Sequence, residues 1–436
     1  MTTLTFPLSR IEGHAQVIIE VDSGEVLSAR FQATEFRGFE HFVQGVPAEQ
    51  MPVIVPRICG VCSTAHHIAS VKALEDAYDV KPPPLALKIR ELLLLGQLIQ
   101  NQATSLFIFT MPDSLGINSI FEHSDDPDLE IIRTNVGPRA LKVRKAGTDL
   151  ISIAGGQFIH PVKAVVGGMT SGISQKDVSL IRSKLAESLP LACELFDSYW
   201  ELLLKLEKKI DTWGDDAPAC YISATAEDQP YYDSNIIQLM GLNNKRESFT
   251  AREFLNRLDY PETDYSYAEK TSYNGEVIRA NSLARINLIP RMGTEYADRY
   301  LARFYKAFGR PAHKLLLYDL ARGVELVYAL ERAMEILAEP LDNDDTAIPH
   351  SPRDGAGYGL VEAPRGPLIH HYRIENGLIA KAKFIIPTVH NVMAIERALR
   401  VAAERYITSE RVDMELEKAV GRVVRAFDPC IACATH

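Results

Sequence analysis

Four of the six cysteines stand in two Cys-x-x-Cys pairs, Cys59/Cys62 and Cys430/Cys433, about 370 residues apart in a chain of 436. Each pair offers two soft sulfur ligands on a short loop, and the two can share one site only if the fold carries one end of the chain back to the other. Such a separation is unlike a compact zinc ribbon. On spacing alone three readings stay open: a common metal site, redox-active thiols, or unrelated cysteines. The first pair precedes a helical pattern, as a redox motif would; the last, close to residue 436, does not. Cys193 and Cys220 are isolated and read as a buried helix residue and an ordinary loop or core residue. Six cysteines are too few for a disulfide scaffold of this size.

The length exceeds what one hydrophobic core usually serves, so two or more packed lobes are expected. With 46% hydrophobic and 24% charged residues the chain is globular, and a net charge of −10 argues against a broad nucleic-acid footprint. The first residues lack a basic segment, apolar run and cleavage site of the secretory kind, so a cytoplasmic location is expected. Residues 91–109 are the most membrane-like, but Gln97, Gln100, Asn101 and Gln102 interrupt them, which favours a buried helix over a direct membrane span.

Alternating apolar residues around Asp22-Ser23-Gly24 predict two strands joined by a turn, and residues 65–77 have helical spacing that stops at Pro82-Pro83-Pro84. A long buried helix is expected over 85–110, ending near Met111-Pro112. A second is expected after Gly167-Gly168, kinked or divided at Pro190. Between them the glycines at 137, 147, 155–156 and 167–168 read as breaks in an irregular, strand-like insert. Further helices are expected at 296–338, interrupted near Gly309 and Pro311, and at 391–412 and 414–426; residues 359–387 look strand-like. The fold class is therefore α+β and predominantly helical, with a long-helix core and small peripheral β regions. Five segments follow: 1–62, β-containing with the first cysteine pair; 63–214, helical core with the Gly-rich insert; 215–294, irregular α+β; 295–341, helical core; and 342–436, strands and helices with the last pair.

The cysteine flanks narrow the three readings. RIEGH (10–14), RGFE (37–40), RICGVCSTAH (57–66), EAPRG (362–366) and DPCIACATH (428–436), with GGQFIHPVKAVVGG (155–168) and ARIN (284–287), closely resemble the catalytic large subunit of nickel-iron hydrogenases over essentially the whole chain. RGFE and the CATH ending look most like the soluble multisubunit, NAD-linked (bidirectional) branch. The resemblance implies that Cys59, Cys62, Cys430 and Cys433 bind nickel, with Cys62 and Cys433 bridging to an iron that carries carbon monoxide and cyanide. Glu12 is the implied proton-transfer carboxylate, receiving a proton from a terminal cysteine, Cys430. Arg365 is expected to aim its guanidinium at the open side of the centre, Pro364 to shape the cyanide pocket, Asp428 to hold Arg365, and His66 to hydrogen-bond a bridging thiolate. Glu40 and His436 match the side-chain ligands of a magnesium site, with a backbone carbonyl expected from 383–387. Asn101 stands where many relatives have Asp or Ser, and Gln102 replaces a histidine common in the soluble branch. An amide cannot act as a carboxylate base, so Asn101 is not expected to move a proton.

The implied reaction is reversible oxidation of dihydrogen to protons and electrons. This sequence has no third cysteine cluster for electron relay, so the resemblance implies a small subunit with an iron-sulfur cluster, and diaphorase subunits carrying FMN and NAD. It also implies a maturation protease that removes a tail beyond residue 436. Hydrogenases serving other cytoplasmic or electron-bifurcating modules are the near alternative. A quinone-site respiratory subunit, which lacks the nickel quartet, and a structural zinc protein are the remote ones.

Overall fold

The computed structural model describes every residue except 124, 211–213, 343–344 and 409–411. At the start of the chain β1 (Thr2–Pro7), β2 (Ala15–Asp22) and β3 (Glu25–Ala33) form an antiparallel sheet in that order. Ala15, Val17, Ile19 and Val21 point inward from β2, the two-residue period of a half-buried strand. Ser23 and Gly24 take positive φ in the β2–β3 turn, as a tight hairpin requires. The two expected strands are present, and β1 joins them at an edge.

The interior is helical. α1 (Ser63–Tyr78) starts directly after Cys62, and α2 (Pro84–Ala103) opens on a proline, whose missing N–H is harmless in a first turn. Leu92, Leu93, Leu95, Leu98 and Ile99 of α2 are fully buried, each contributing about 1.5–3 kcal/mol of hydrophobic stabilisation. The stretch Pro84–Leu115 is long and apolar enough to cross a membrane, yet 83% of its most apolar window lies inside the fold. The helical path does not end at Met111-Pro112. A wider π-helical turn, Thr104–Thr110, leads into a short helix, Met111–Leu115, in which Pro112 again occupies a first turn.

The Gly-rich stretch departs from expectation. Residues Gly137–Gly155 form α3, a regular 19-residue helix packed along α2, and among the described residues strand pairing in this region is limited to Ala164–Val165 with Gly168–Met169 and a bridge from Gly168 to Ala347. A Cβ on Gly147 would lie 2.7 Å from both Gln100 N and Gly96 O of α2. Glycine here permits a backbone-to-backbone helix crossing, and the same spacing reads as strand punctuation when its partner helix is unknown. α4 (Gln175–Ile210) continues through Pro190 as one 36-residue helix.

A six-stranded sheet follows, built from β4 (Cys220–Ser223), β5 (Ile236–Met240), β6 (Arg246–Thr250), β7 (Leu258–Asp259), β8 (Ser272–Tyr273) and β9 (Glu276–Arg279) in the order β6-β5-β4-β9-β8-β7. α5 (Ser282–Leu288), α6 (Glu295–Phe308) and α7 (Leu317–Ile336) return to the helical core, with the break at Gly309–Pro311 where expected. β10 (Gly355–Ala363), β11 (Gly366–Glu375) and β12 (Leu378–Ile385) form an antiparallel meander that packs on α1. α8 (Pro387–Tyr406) begins earlier than residue 391, because Pro387 suits a helix start, and α9 (Leu416–Phe427) follows. Glu12 and Cys430 then pair in a parallel β-bridge, and Arg37 N–H donates to Thr435 O at 3.0 Å, so the two ends of the chain meet.

Candidate metal centre

Each cysteine loop is shaped by its own sequence. The first leaves the turn Val55–Ile58 in extended conformation, and Cys62 N–H lies 3.3 Å from Cys59 Sγ as α1 begins. The second starts where α9 stops: Asp428 adopts left-handed φ 47° at the helix end, Pro429 prevents continuation, and the single turn Ile431–Ala434 brings Cys433 back. RIEGH lies against this turn because Gly13 has φ 82° and no Cβ, which would come within 2.8 Å of Ile431.

The four sulfurs converge. Cys430 Sγ is 3.4 Å from Cys59 Sγ, 3.8 Å from Cys62 Sγ and 2.9 Å from Cys433 Sγ, and all four lie buried within 4.8 Å of one another without a disulfide. Burial pushes the Cys430 and Cys433 thiols well up, whereas hydrogen bonds from Cys430 and its neighbours hold Cys62 well down. Four thiolates in so dry a place need a cation to neutralise them. The donor set, soft and wholly sulfur, fits a thiophilic transition metal and not a hard ion.

Predicted residues surround this point. Glu12 Oε2 is 2.9 Å from Cys430 Sγ and accepts from Ala432 N–H at 3.1 Å. Arg365, fully buried, places Nη1 3.2 Å from Cys62 Sγ and Nη2 3.0 Å from Asp428 Oδ1. Asn101 Nδ2 donates to the other Asp428 oxygen at 3.0 Å. His66 Nε2 lies 3.4 Å from Cys433 Sγ, and burial lowers its pKa to about 4. Glu40 Oε1 sits 3.3 Å from His436 Nε2, while His436 Nδ1 faces Cys433 O at 2.7 Å. Burial opposes ionisation of Glu40, but His436 and the Phe384 N–H, 2.8 Å away, outweigh it and hold its pKa below the usual value. Phe384 belongs to the 383–387 tract. Pro364 stands slightly apart: its carbonyl accepts from Arg285 at 2.7 Å, and the small cavity beside the sulfurs is lined instead by Ala363, Arg365, Leu368, Pro387 and Thr388 among others.

Some supporting residues escaped the sequence reading. Thr388 Oγ1 accepts the Cys430 N–H at 3.0 Å, His370 meets His66, and Arg37 donates to the carbonyls of Ile58 and Ala432, joining the two cysteine loops. A usable signal lay in α2. Its amides break an apolar run because they attach the site to the core: Gln97 Oε1 caps the Ala65 N–H at 2.7 Å, and Gln102 Nε2 donates to Glu325 at 2.6 Å.

Residues 37–123 and 219–436 match a protein family described as nickel-dependent hydrogenase, and residues 5–36 match one described as HoxL-like. A vhu subunit of the F420-non-reducing hydrogenase of Methanocaldococcus jannaschii is 34% identical over 420 residues, covering 91% of this chain and 97% of that protein. The NAD-reducing hydrogenase HoxS subunit beta of Cupriavidus necator is 29% identical, covering 99% of this chain and 93% of its own. Among solved structures, an NAD+-reducing [NiFe]-hydrogenase in the H2-reduced state superposes with a TM-score of 0.91 at 29% identity, with both chains covered in full.

Proposed function

The chain belongs to the nickel-dependent hydrogenases, as a catalytic large subunit, and on that premise we propose that Cys59, Cys62, Cys430 and Cys433 hold a nickel-iron centre with carbon monoxide and cyanide on the iron. When bound, that centre supplies the heterolytic cleavage of dihydrogen and takes up its electrons. The observation that carries this reading is the convergence of four buried sulfurs with a carboxylate 2.9 Å from one of them.

The side chains divide the remaining work. Cys430 Sγ receives the proton and Glu12 Oε2, at hydrogen-bond distance, takes it on; Glu12 is partly exposed, so it links the dry cluster to the solvent side. The Ala432 N–H keeps that oxygen in place. Arg365 sets a fixed positive charge beside Cys62, and Asp428, itself held by Asn101, fixes the guanidinium plane. His436 Nδ1 faces Cys433 O and its Nε2 faces Glu40 Oε1, and a ring nitrogen beside a carboxylate oxygen can both ligate a divalent cation, which we assign as magnesium.

Electrons leave through a small partner protein bearing an iron-sulfur cluster, because Cys193 and Cys220 are single and no further cysteine cluster occurs among the described residues. Coupling to NAD(P) through FMN-containing diaphorase subunits is supported by the 0.91 superposition. A second reading, delivery to a module other than a nicotinamide one, is favoured by the 34% identity to an F420-non-reducing hydrogenase. We place the complex in the cytoplasm, with a maturation protease among its partners. Purification of the native complex tests all of this. Stoichiometric nickel and iron with dihydrogen-dependent NAD(P)+ reduction is the expected result; zinc without nickel would overturn the assignment, and dihydrogen uptake without NAD(P)+ reduction would select the second reading.

A further inference from the structure

The hairpin turn that carries Arg365 lies inside the protein. β10 and β11 pair Ala363 with Gly366, which leaves Pro364 and Arg365 as the two loop residues, and every residue from 361 to 370 is buried. Turns ordinarily sit at the surface, where water takes their free carbonyls. Here Arg285 does so instead: its Nη2 donates to Pro364 O at 2.7 Å and its Nη1 to Ala363 O at 3.2 Å. Gly366 lets the turn approach the start of α5, since a Cβ there, at φ 129°, would stand 2.7 Å from Ala280 Cβ.

Arg285 is itself held on both edges. Glu325 of α7 receives its Nε and, at 2.8 Å, its Nη2, while Glu362 receives Nη1 at 2.6 Å. The other Glu362 oxygen is taken by the Ala224 N–H, and the centre of the Tyr232 ring lies 5.5 Å from the guanidinium carbon. Arg285 is 1% exposed, so these contacts fix it without competition from water.

We infer that Arg285, oriented by Glu325 and Glu362, is a positioning residue for Arg365: it fixes the backbone from which that guanidinium reaches Cys62. The inference rests on the proposed centre, beside which Arg365 acts. Asp428 secures only the far end of the side chain, with its carbonyl 2.5 Å from Nε and its carboxylate 3.0 Å from Nη2. A turn free to move would carry the 3.2 Å contact between Nη1 and Cys62 Sγ beyond a useful hydrogen bond. A misplacement of about 1 Å at a reacting centre costs about 10²-fold in rate. The two supports of Arg365 also meet behind it. Asn101, which holds Asp428, approaches Gln102 Oε1 at 3.4 Å, and Gln102 Nε2 donates to Glu325, so both ends of Arg365 lead back to one carboxylate of α7.

A double-mutant cycle in the purified complex tests this. Arg285→Lys keeps a charge between the two carboxylates but lacks the fork that reaches the turn carbonyls. It should retain nickel and iron and lower hydrogen-deuterium exchange by about 10-fold or more. It should also shift the carbon monoxide and cyanide infrared bands, because those stretches respond to the electron density that Cys62 gives the iron. In Arg365→Lys no guanidinium is left to place, so adding Arg285→Lys should change neither the rate nor the bands further. Glu325→Gln, which leaves one oxygen for two donors of Arg285, repeats the cycle if Arg285→Lys does not load metal. Equal losses in both backgrounds, or a single variant with wild-type exchange and bands, would overturn the inference alone, as would loss of metal from both Arg285→Lys and Glu325→Gln. A wild-type complex without nickel and iron, or without exchange, would overturn the proposed function and this inference with it.

Discussion

Glu12 Oε2 lies 2.9 Å from Cys430 Sγ although 418 positions separate the two residues. The distance is set by backbone. Ile431 N–H donates to Glu12 O at 2.9 Å, and Ala432 N–H holds the carboxylate, so the proposed proton acceptor and the sulfur belong to one short β-bridge. Glu12→Gln keeps this geometry but removes the basic oxygen. Nickel and iron content should stay at the wild-type level while dihydrogen oxidation and hydrogen-deuterium exchange fall by about 10²-fold or more, the usual scale for a lost proton-transfer group. Full exchange activity in this variant would remove Glu12 from the proton route.

Cys433→Ser replaces a soft donor by a hard one at a buried position, beside His66 and within 2.9 Å of Cys430 Sγ. The variant should be recovered without stoichiometric nickel, as read by elemental analysis. Retained nickel would separate Cys433 from the ligand set.

Glu40→Ala removes the acceptor of the Phe384 N–H and the oxygen facing His436. Magnesium occupancy should fall, and stability should drop by about 1–3 kcal/mol, the cost of leaving a largely buried N–H unpaired. Unchanged magnesium content together with an unchanged melting temperature would refute the cation assignment.

Gly147→Ala sets two effects against each other. Helix propensity favours alanine by ~1 kcal/mol, but the new Cβ would stand 2.7 Å from backbone atoms of α2, which cannot rotate aside. Overpacking should win, with a net loss of about 1–3 kcal/mol in denaturant unfolding. A stabilised variant would mean that the α2–α3 crossing is looser than described.

His67 provides a pH dependence away from the sulfurs. Burial lowers its pKa from 6.5 to about 4, with its Nδ1 facing Pro52 O and its Nε2 accepting the Ala164 N–H. The folded state therefore binds fewer protons than the unfolded one between these values. Its contribution, on the order of 3 kcal/mol, is present above pH 6.5 and is lost as pH falls towards 4. The melting temperature should decline over this window, and His67→Gln should flatten the decline by up to one proton. An unchanged slope would show that other groups carry the acid limb.

Much of the site was legible because its chemistry is concentrated in short motifs. Glu12, Glu40, His66, Arg365, Asp428 and His436 are each recognisable beside a cysteine pair or within a flanking pattern. The roles of Thr388, Arg37 and His370 were not, although Arg37 stands in the RGFE pattern, since each acts through contacts to groups whose distance depends on the whole fold. The glycines of α3 misled for a related reason: close helix approach and strand interruption call for the same residue.

The sequence by itself determined which atoms are available, namely four soft sulfurs, a carboxylate and a guanidinium in set local order, and the hydrophobic periods that make helices and strands. Only the tertiary structure decided that these groups meet. A two-residue spacing holds Cys59 near Cys62 whatever the rest of the chain does. Bringing Cys430 to 3.4 Å from Cys59 requires α1, α2, α9 and the terminal bridge to pack at once, a condition set by the summed burial of many distant side chains.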